Sequence, residues 1–205
     1  MSSPATVQAV DYRLYHALNH FVLRHEWLAD GWATFENWSV PALALATVAL
    51  WAFARPGGKR KWKLACTSAL FSAGLALLIN QAIAKLIWER KRPFAAHPSA
   101  HVWGARTHDA SFPSDHASAS FAIGFAVVMF DRMVGALFLA AALAIGVGRV
   151  FIGEHYPLDV AAGCLVGLAA ALVVAKLGRP VIAWVVRVVE RATDPVLAPL
   201  WRQRG

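Results

Sequence analysis

Three short segments of the chain hold residue types that act on anions: Lys85 through Arg92-Pro93, Pro113-Ser114-Asp115-His116, and Arg149 through His155 to Asp159. Lys85, Arg92 and Arg149 are cationic donors, and the planar fork of arginine matches two phosphate oxygens at once. Pro113-Ser114 reads as a helix start, so unpaired backbone N–H groups and the positive end of a helix dipole would face the same anion. Ser114 adds a hydroxyl donor. Pro157 suits the first turn of a helix, which leaves His155 just ahead of that helix and Asp159 one turn into it. A carboxylate at this spacing can accept from one imidazole nitrogen and leave the other free as a nucleophile. His116, near the start of its own helix, is placed to act as general acid for a leaving oxygen. Together these residues could transfer a phosphoryl group by way of a histidine.

The elements that must position them are apolar helices. The chain has 205 residues, of which 58% are hydrophobic and 16% charged, against about 25% charged in an average soluble domain. So much apolar surface cannot be hidden in a soluble fold of this size, which makes lipid the expected solvent. A span needs about 20 largely apolar residues. The sequence predicts five, over about 34–54, 64–87, 114–130, 133–148 and 157–177. Asp131-Arg132 alone separates the third from the fourth, which predicts a tight hairpin. Residues 5–28 carry Val7, Val10, Leu14, Leu18, Phe21 and Val22 at helical spacing among polar residues, a pattern for a helix lying in the membrane interface. The tail after Pro180 is too short and too charged to cross and is also expected to be interfacial. The expected fold is therefore all-α, a polytopic membrane bundle of about five spanning helices with interfacial helices at both termini. It forms one unit over residues 1–205. No cleavable leader is expected, because Asp11, Arg13, Arg24, Glu26 and Asp30 interrupt any apolar centre near the start.

Ionisable residues near a membrane interior cost about 2.5–3.5 kcal/mol each at a helix centre and are functional suspects by default. Here they gather at one end of the predicted bundle. The loop from Arg55 to Lys63 has five basic residues and no acid, so the positive-inside rule puts it in the cytoplasm. Asp131-Arg132 and the tail (Lys176, Arg179, Arg187, Arg191, Arg202, Arg204) follow it inside. The N-terminus and the 88–113 loop then lie outside. The basic residues of that outer loop find their use in anion binding. The net charge of +8 does not imply nucleic acid, since most of it sits between apolar runs and not on a soluble face.

The three segments, in this order and with these internal spacings, resemble the signature motifs of the type-2 phosphatidic-acid phosphatase superfamily, which also includes vanadium haloperoxidases. The resemblance covers the chain from Lys85 to Asp159, and the span pattern extends it to nearly all residues. Ala110-Ser-Phe-Pro-Ser-Asp-His116, Arg92-Pro-Phe94 with His97 and His101, and Gly153-Glu-His-Tyr-Pro-Leu-Asp159 are most similar to bacterial undecaprenyl-pyrophosphate phosphatases of the bacitracin-resistance type. The resemblance implies a reaction without metal or cofactor. His155 attacks phosphorus, His116 protonates the leaving lipid phosphate, and water hydrolyses the phosphohistidine. It implies polyprenyl pyrophosphate as substrate, the cell membrane as location, and a site on the extracytoplasmic side. Rival readings are a phosphatase for phosphatidylglycerol phosphate or phosphatidic acid, and a non-enzymatic lipid-phosphate binder or transporter. A binder needs the cations but not the His155–Asp159 pair.

Two positions depart from the family pattern. Asp115 stands where glycine is usual and puts a carboxylate near the phosphate unless it turns away or pairs with a cation; aspartate there is tolerated in the bacitracin-resistance subgroup. Gly148 stands where serine is usual and removes a hydroxyl. Outside the motifs, Arg90 and Lys91 read as solvated or headgroup-facing, and Glu154 as tuning substrate choice or facing water. His97, His101, His108 and Asp109 lack metal-ligand spacing. Cys66 and Cys164 lie in apolar runs with no redox or metal spacing and read as small hydrophobes.

Overall fold

A computed structural model describes residues 4–54, 60–103, 106 and 108–202. The chain forms α1 (Pro4–Leu23), α2 (Glu26–Phe53), α3 (Lys61–Leu86), the single turn α4 (Pro93–Ala96), α5 (Asp115–Val128), α6 (Arg132–Phe151), α7 (Pro157–Leu177) and α8 (Arg179–Arg202). The all-α expectation holds. Helices α3, α6 and α7 are long and apolar enough to cross a membrane. The other two expected spans differ. Helix α5 is apolar but has only 14 residues, about 21 Å at 1.5 Å per residue, and is enclosed by α3, α6 and α7. Helix α2 begins at Glu26 rather than near Thr34, contains Pro41, and buries Glu36.

Close backbone approach holds α5 at the centre. A Cβ on Gly163 would lie 3.0 Å from the Ser114 carbonyl oxygen, and one on Gly167 would lie 2.7 Å from the Ala122 nitrogen. The two glycines, one turn apart on α7, therefore let it lie directly on the α5 backbone. Around this contact the core gathers Cys66 and Ala69 of α3, Ile123 and Val127 of α5, Phe138 and Ile145 of α6, and Val174 of α7. Cys66 is buried and Cys164 half-buried, both as free thiols in apolar surroundings.

The α5–α6 hairpin is as tight as expected. Asp131 caps α6, its Oδ1 accepting from the Met133 and Val134 nitrogens at 3.1 Å each. At this end of the bundle the basic residues find acids. Lys61 reaches Asp131 at 2.6 Å, Lys63 reaches Asp194 at 2.5 Å and Glu190 at 3.4 Å, and Arg60 pairs with Glu190. Arg55, Lys59 and Arg204 lie outside the described residues.

Both terminal helices are amphipathic in the expected sense. Helix α1 turns Asp11, Tyr15, Asn19 and Val22 inward and leaves Val7, Val10, Leu14, Leu18 and Phe21 exposed. Helix α8 buries Ile182 and Val186 and exposes Trp184, Val188 and Val196 along with Arg187 and Arg191. An exposed apolar face beside a polar one suits the membrane interface. The end of α3, the starts of α5 and α7, and the end of α6 lie together at the end opposite Lys61 and Asp131.

Gly167→Ala adds a methyl against α5 backbone rather than against a side chain that can move. It should lower stability by about 1–3 kcal/mol, read as a drop in the thermal unfolding midpoint of the detergent-solubilised protein. An unchanged midpoint would show that α5 and α7 are not held this closely.

Candidate active site

The turn after α6 sets the site. Gly153 has φ +87°, and a Cβ there would lie 1.9 Å from the His101 carbonyl oxygen, so only glycine fits. The turn folds back far enough for the Glu154 and His155 nitrogens both to donate to the Arg149 carbonyl, at 3.0 and 3.2 Å. His155 is thereby placed beside Arg149, and Pro157 opens α7 immediately after it.

His155 is 1% exposed. Its Nδ1 lies 2.8 Å from the Ser111 carbonyl oxygen, which can only accept, so Nδ1 carries the proton. Its Nε2 faces Arg92 Nη1 at 3.3 Å and keeps its lone pair. The expected bond to Asp159 takes a different form: Asp159 Oδ2 stands 3.6 Å from Nδ1. That oxygen accepts instead from Ser111 Oγ at 2.6 Å and from the Tyr156 nitrogen at 2.9 Å. Asp159 orients the ring through Ser111 and the first turn of α7. Burial holds the imidazole below its ordinary value of 6.5, with Arg149 and Arg92 acting in the same direction and Asp159 opposing.

Arg92 and Arg149 converge beside this ring. Arg92 Nη1 lies 2.5 Å and Arg149 Nη2 3.2 Å from the same oxygen, Glu154 Oε2. Arg92 Nη2 also meets Asp109 at 2.9 Å, and Arg149 Nη1 lies 3.5 Å from Glu36 of α2. Among the described residues, Arg149 Nε is buried without a hydrogen-bond partner, as are both Glu36 carboxylate oxygens. A buried guanidinium with an unsatisfied donor, beside a second guanidinium, is what an anion site supplies. Gly148 makes room for Glu36, since a Cβ there would lie 2.2 Å from Glu36 Oε1. The missing hydroxyl at 148 is thus matched by a carboxylate from another helix.

The second motif stands at the same place. Ser114 caps α5, its Oγ accepting from the Ala117 nitrogen at 3.4 Å, and its own nitrogen donates to the Asp159 carbonyl at 3.1 Å. Its hydroxyl therefore serves first as a cap acceptor, with its proton left to give. The His116 imidazole lies within the field of Arg149, His155, Arg92 and Asp109. Asp115 does turn away, toward α3, where the buried Asn80 amide donates to it at 2.7 Å. Lys85 is not drawn in: it is exposed on the last turn of α3 with no hydrogen bond or ion pair among the described residues.

Two residues read as peripheral are central. Arg90 was expected in solvent or among headgroups, but it is buried, joining Asp159 Oδ1 at 2.6 Å to Asp11 Oδ2 at 2.7 Å and lying 3.7 Å over the Tyr156 ring. Asp11 Oδ1 in turn accepts from the Leu158 nitrogen at 2.9 Å, so α1 caps α7. Glu154, expected either to tune substrate choice or to face water, is buried between two arginines. Neither role has a local sequence signal, because Asp11 and Arg92, which complete the two sets of pairs, lie far away in the chain. Two of the loop histidines pack on aromatic rings: His97 stacks on Tyr12 at 3.8 Å, and His101 meets Trp103 edge-on at 4.5 Å.

Arg90→Ala leaves Asp11 and Asp159 buried without their cation. It should cost about 3–5 kcal/mol, seen as a large fall in the unfolding midpoint. Asp11→Asn, which keeps the shape of the side chain, should cost less. A neutral result for Arg90→Ala would remove α1 from the support of the site.

The sequence profile of the PAP2 superfamily matches residues 65–182. A bacitracin transport permease protein BcrC of Bacillus licheniformis is 39% identical over 105 residues, which are 50% of this chain and 52% of that relative, so this match spans about half of each protein. The undecaprenyl-diphosphatase BcrC of Bacillus subtilis is 28% identical over 185 residues, covering 88% of this chain and 92% of that one. The fold matches the crystal structure of Aquifex aeolicus LpxE with a TM-score of 0.67 at 22% identity, over 80% of this chain and 94% of that one. Since the profile spans more than half of the chain, the protein belongs to the PAP2 superfamily, as a multi-pass membrane phosphatase.

Proposed function

We propose that the chain removes the terminal phosphate of a polyprenyl diphosphate, with undecaprenyl as the expected chain, and leaves the lipid monophosphate. The observation that carries this reading is the buried His155, whose Nδ1 proton is committed to the Ser111 carbonyl and whose Nε2 stands 3.3 Å from Arg92. Nε2 attacks the terminal phosphorus, and the bond to the bridging oxygen breaks. His116 gives its proton to the departing lipid phosphate. The ring, now positive, is stabilised by the Ser111 carbonyl and by Asp159 behind it. Water, deprotonated by His116, then attacks the phosphohistidine, releasing inorganic phosphate and restoring Nε2. Arg92, Arg149 and the amides at the start of α5 hold the charge that builds on the phosphoryl oxygens. Ser114 adds a hydroxyl donor at the same helix start, while Lys85 stays exposed at the end of α3. These groups supply nucleophile, acid and anion donors, so the reading calls for no metal or cofactor.

Placement at the outer face of the cell membrane is supported by Arg60, Lys61 and Lys63 at the opposite end of the bundle, since the positive-inside rule counts Lys and Arg and not net charge. The name of the Bacillus subtilis relative, an undecaprenyl-diphosphatase, supports the substrate. The activity would recycle the carrier lipid used for cell-wall building and lower sensitivity to bacitracin. Mycobacterial decaprenylphosphoryl-5-phosphoribose phosphatase, 32% identical over 73% of this chain, favours a second reading in which a polyprenyl-linked sugar phosphate is the substrate.

Purified protein assayed in detergent without added metal against undecaprenyl diphosphate, phosphatidylglycerol phosphate and phosphatidic acid should turn over the diphosphate fastest. His155→Ala should lower kcat by at least about a thousandfold with unfolding behaviour unchanged; substantial turnover in that variant would sink the mechanism. The nucleophile must be neutral, and its pKa is held down by burial, so the acid limb of kcat/KM should lie below pH 6.5. A limb above that value would mean that His155 is not the titrating nucleophile.

A further inference from the structure

A fork able to grip phosphate already grips a carboxylate. Glu154 Oε2 takes both Arg92 Nη1 and Arg149 Nη2, at 2.5 and 3.2 Å, and Glu154 is 5% exposed. Arg92 Nη1 is also the group that stands 3.3 Å from His155 Nε2. A phosphoryl group placed against that nitrogen meets Arg92 Nη1, the donor that Glu154 holds, and Arg149 Nε, unpaired among the described residues, can join it. Each arginine is engaged by a second carboxylate as well: Glu36 lies 3.5 Å from Arg149, and Asp109 lies 2.9 Å from Arg92. Glu154 and Asp109 alone thus balance the two guanidiniums, with the buried Glu36 beside them. A phosphate entering with Glu154 in place would add like charge to a cluster that is already neutralised, which costs several kcal/mol at contact distance.

On the phosphatase reading above, we propose that Glu154 is a resident counter-anion that sets specificity. Its carboxylate holds the Arg92–Arg149 fork in the substrate-free enzyme, leaves it as a phosphate binds, and returns as inorganic phosphate departs. Exchanging one carboxylate for a monoanionic phosphodiester gains no charge on the fork, whereas exchanging it for a dianionic phosphate end gains one. The site therefore favours terminal phosphates over the diesters that make up the surrounding lipid headgroups. The return of Glu154 also helps expel the product, so that inorganic phosphate inhibits weakly.

The test is direct binding to the full-length protein in detergent at about pH 8, where phosphate is largely dianionic. Isothermal calorimetry is run with inorganic phosphate and with dimethyl phosphate as the monoanionic probe. Glu154→Gln keeps the shape and removes the charge. It should tighten phosphate binding by roughly tenfold and bring dimethyl phosphate binding into the measurable range. Phosphate binding that is unchanged or weaker in Glu154→Gln would make Glu154 an organiser of the arginines and overturn the proposal. If that variant does not fold, Glu154→Asp withdraws the carboxylate by one methylene and should tighten phosphate binding to a smaller degree; no change there overturns the proposal equally. A wild-type protein that hydrolyses none of the lipid phosphates, while its variants tighten phosphate as expected, would sink the proposed function and leave this inference standing. An active wild type with unresponsive variants would do the reverse.

Discussion

Guanidinium groups cannot be taken out of water alone: a buried charge stays ionised only where opposite charge and hydrogen bonds replace its hydration. Arg90, Arg92 and Arg149 are each under 10% exposed, and the site end of the bundle is organised around meeting that demand. Arg90 takes Asp11 and Asp159; Arg92 takes Asp109 and Glu154; Arg149 takes Glu154 and Glu36. Because these partners come from α1, α2, the segment before α5, the turn before α7 and α7 itself, the same ion pairs that keep the arginines charged also join the helices that must surround a substrate. Removing Arg90 would leave carboxylates without their cation in two elements at once, α1 and α7.

The arrangement of His155 follows from this lattice. Asp159 does not touch the ring at hydrogen-bond distance. It is fixed by Arg90 and by the Tyr156 nitrogen, and it fixes Ser111, whose carbonyl chooses which imidazole nitrogen keeps the proton. The nucleophile of the proposed reaction is thus oriented by a backbone atom, and the carboxylate acts one step behind it. The helix packing beneath supports the same geometry. Gly163 and Gly167 bring α7 onto α5 closely enough for the Ser114 nitrogen to reach the Asp159 carbonyl, so the two motif-bearing helix starts share one hydrogen bond.

The family profile begins at residue 65, yet two of the acids that complete the lattice lie before it. Asp11 caps α7 and holds Arg90, and Glu36 fills the space left by Gly148 beside Arg149. Helices α1 and α2 therefore belong to the electrostatics of the site and do more than anchor the chain. Glycine at 148 becomes intelligible only with α2 in place, as one half of a pair whose other half is a buried carboxylate.

Composition and period were enough to fix the class of fold and most helix bounds, because a membrane helix must be apolar over nearly its whole length and its ends are marked by charge, proline and capping residues. The motif residues were legible for a similar reason. His155, Pro157 and Asp159 are close in sequence, so a local turn already limits where they can point. What the sequence did not disclose were partners far apart in the chain: Arg90 with Asp11, Arg149 with Glu36, Arg92 with Glu154, and Ser111 between His155 and Asp159. Nothing local distinguishes a solvated arginine from a buried one, and Lys85, though in a motif, stays exposed while Arg90 does not. Which charges are desolvated, and therefore which must be paired, is decided only when the helices pack, since burial belongs to the assembled bundle and not to any one segment.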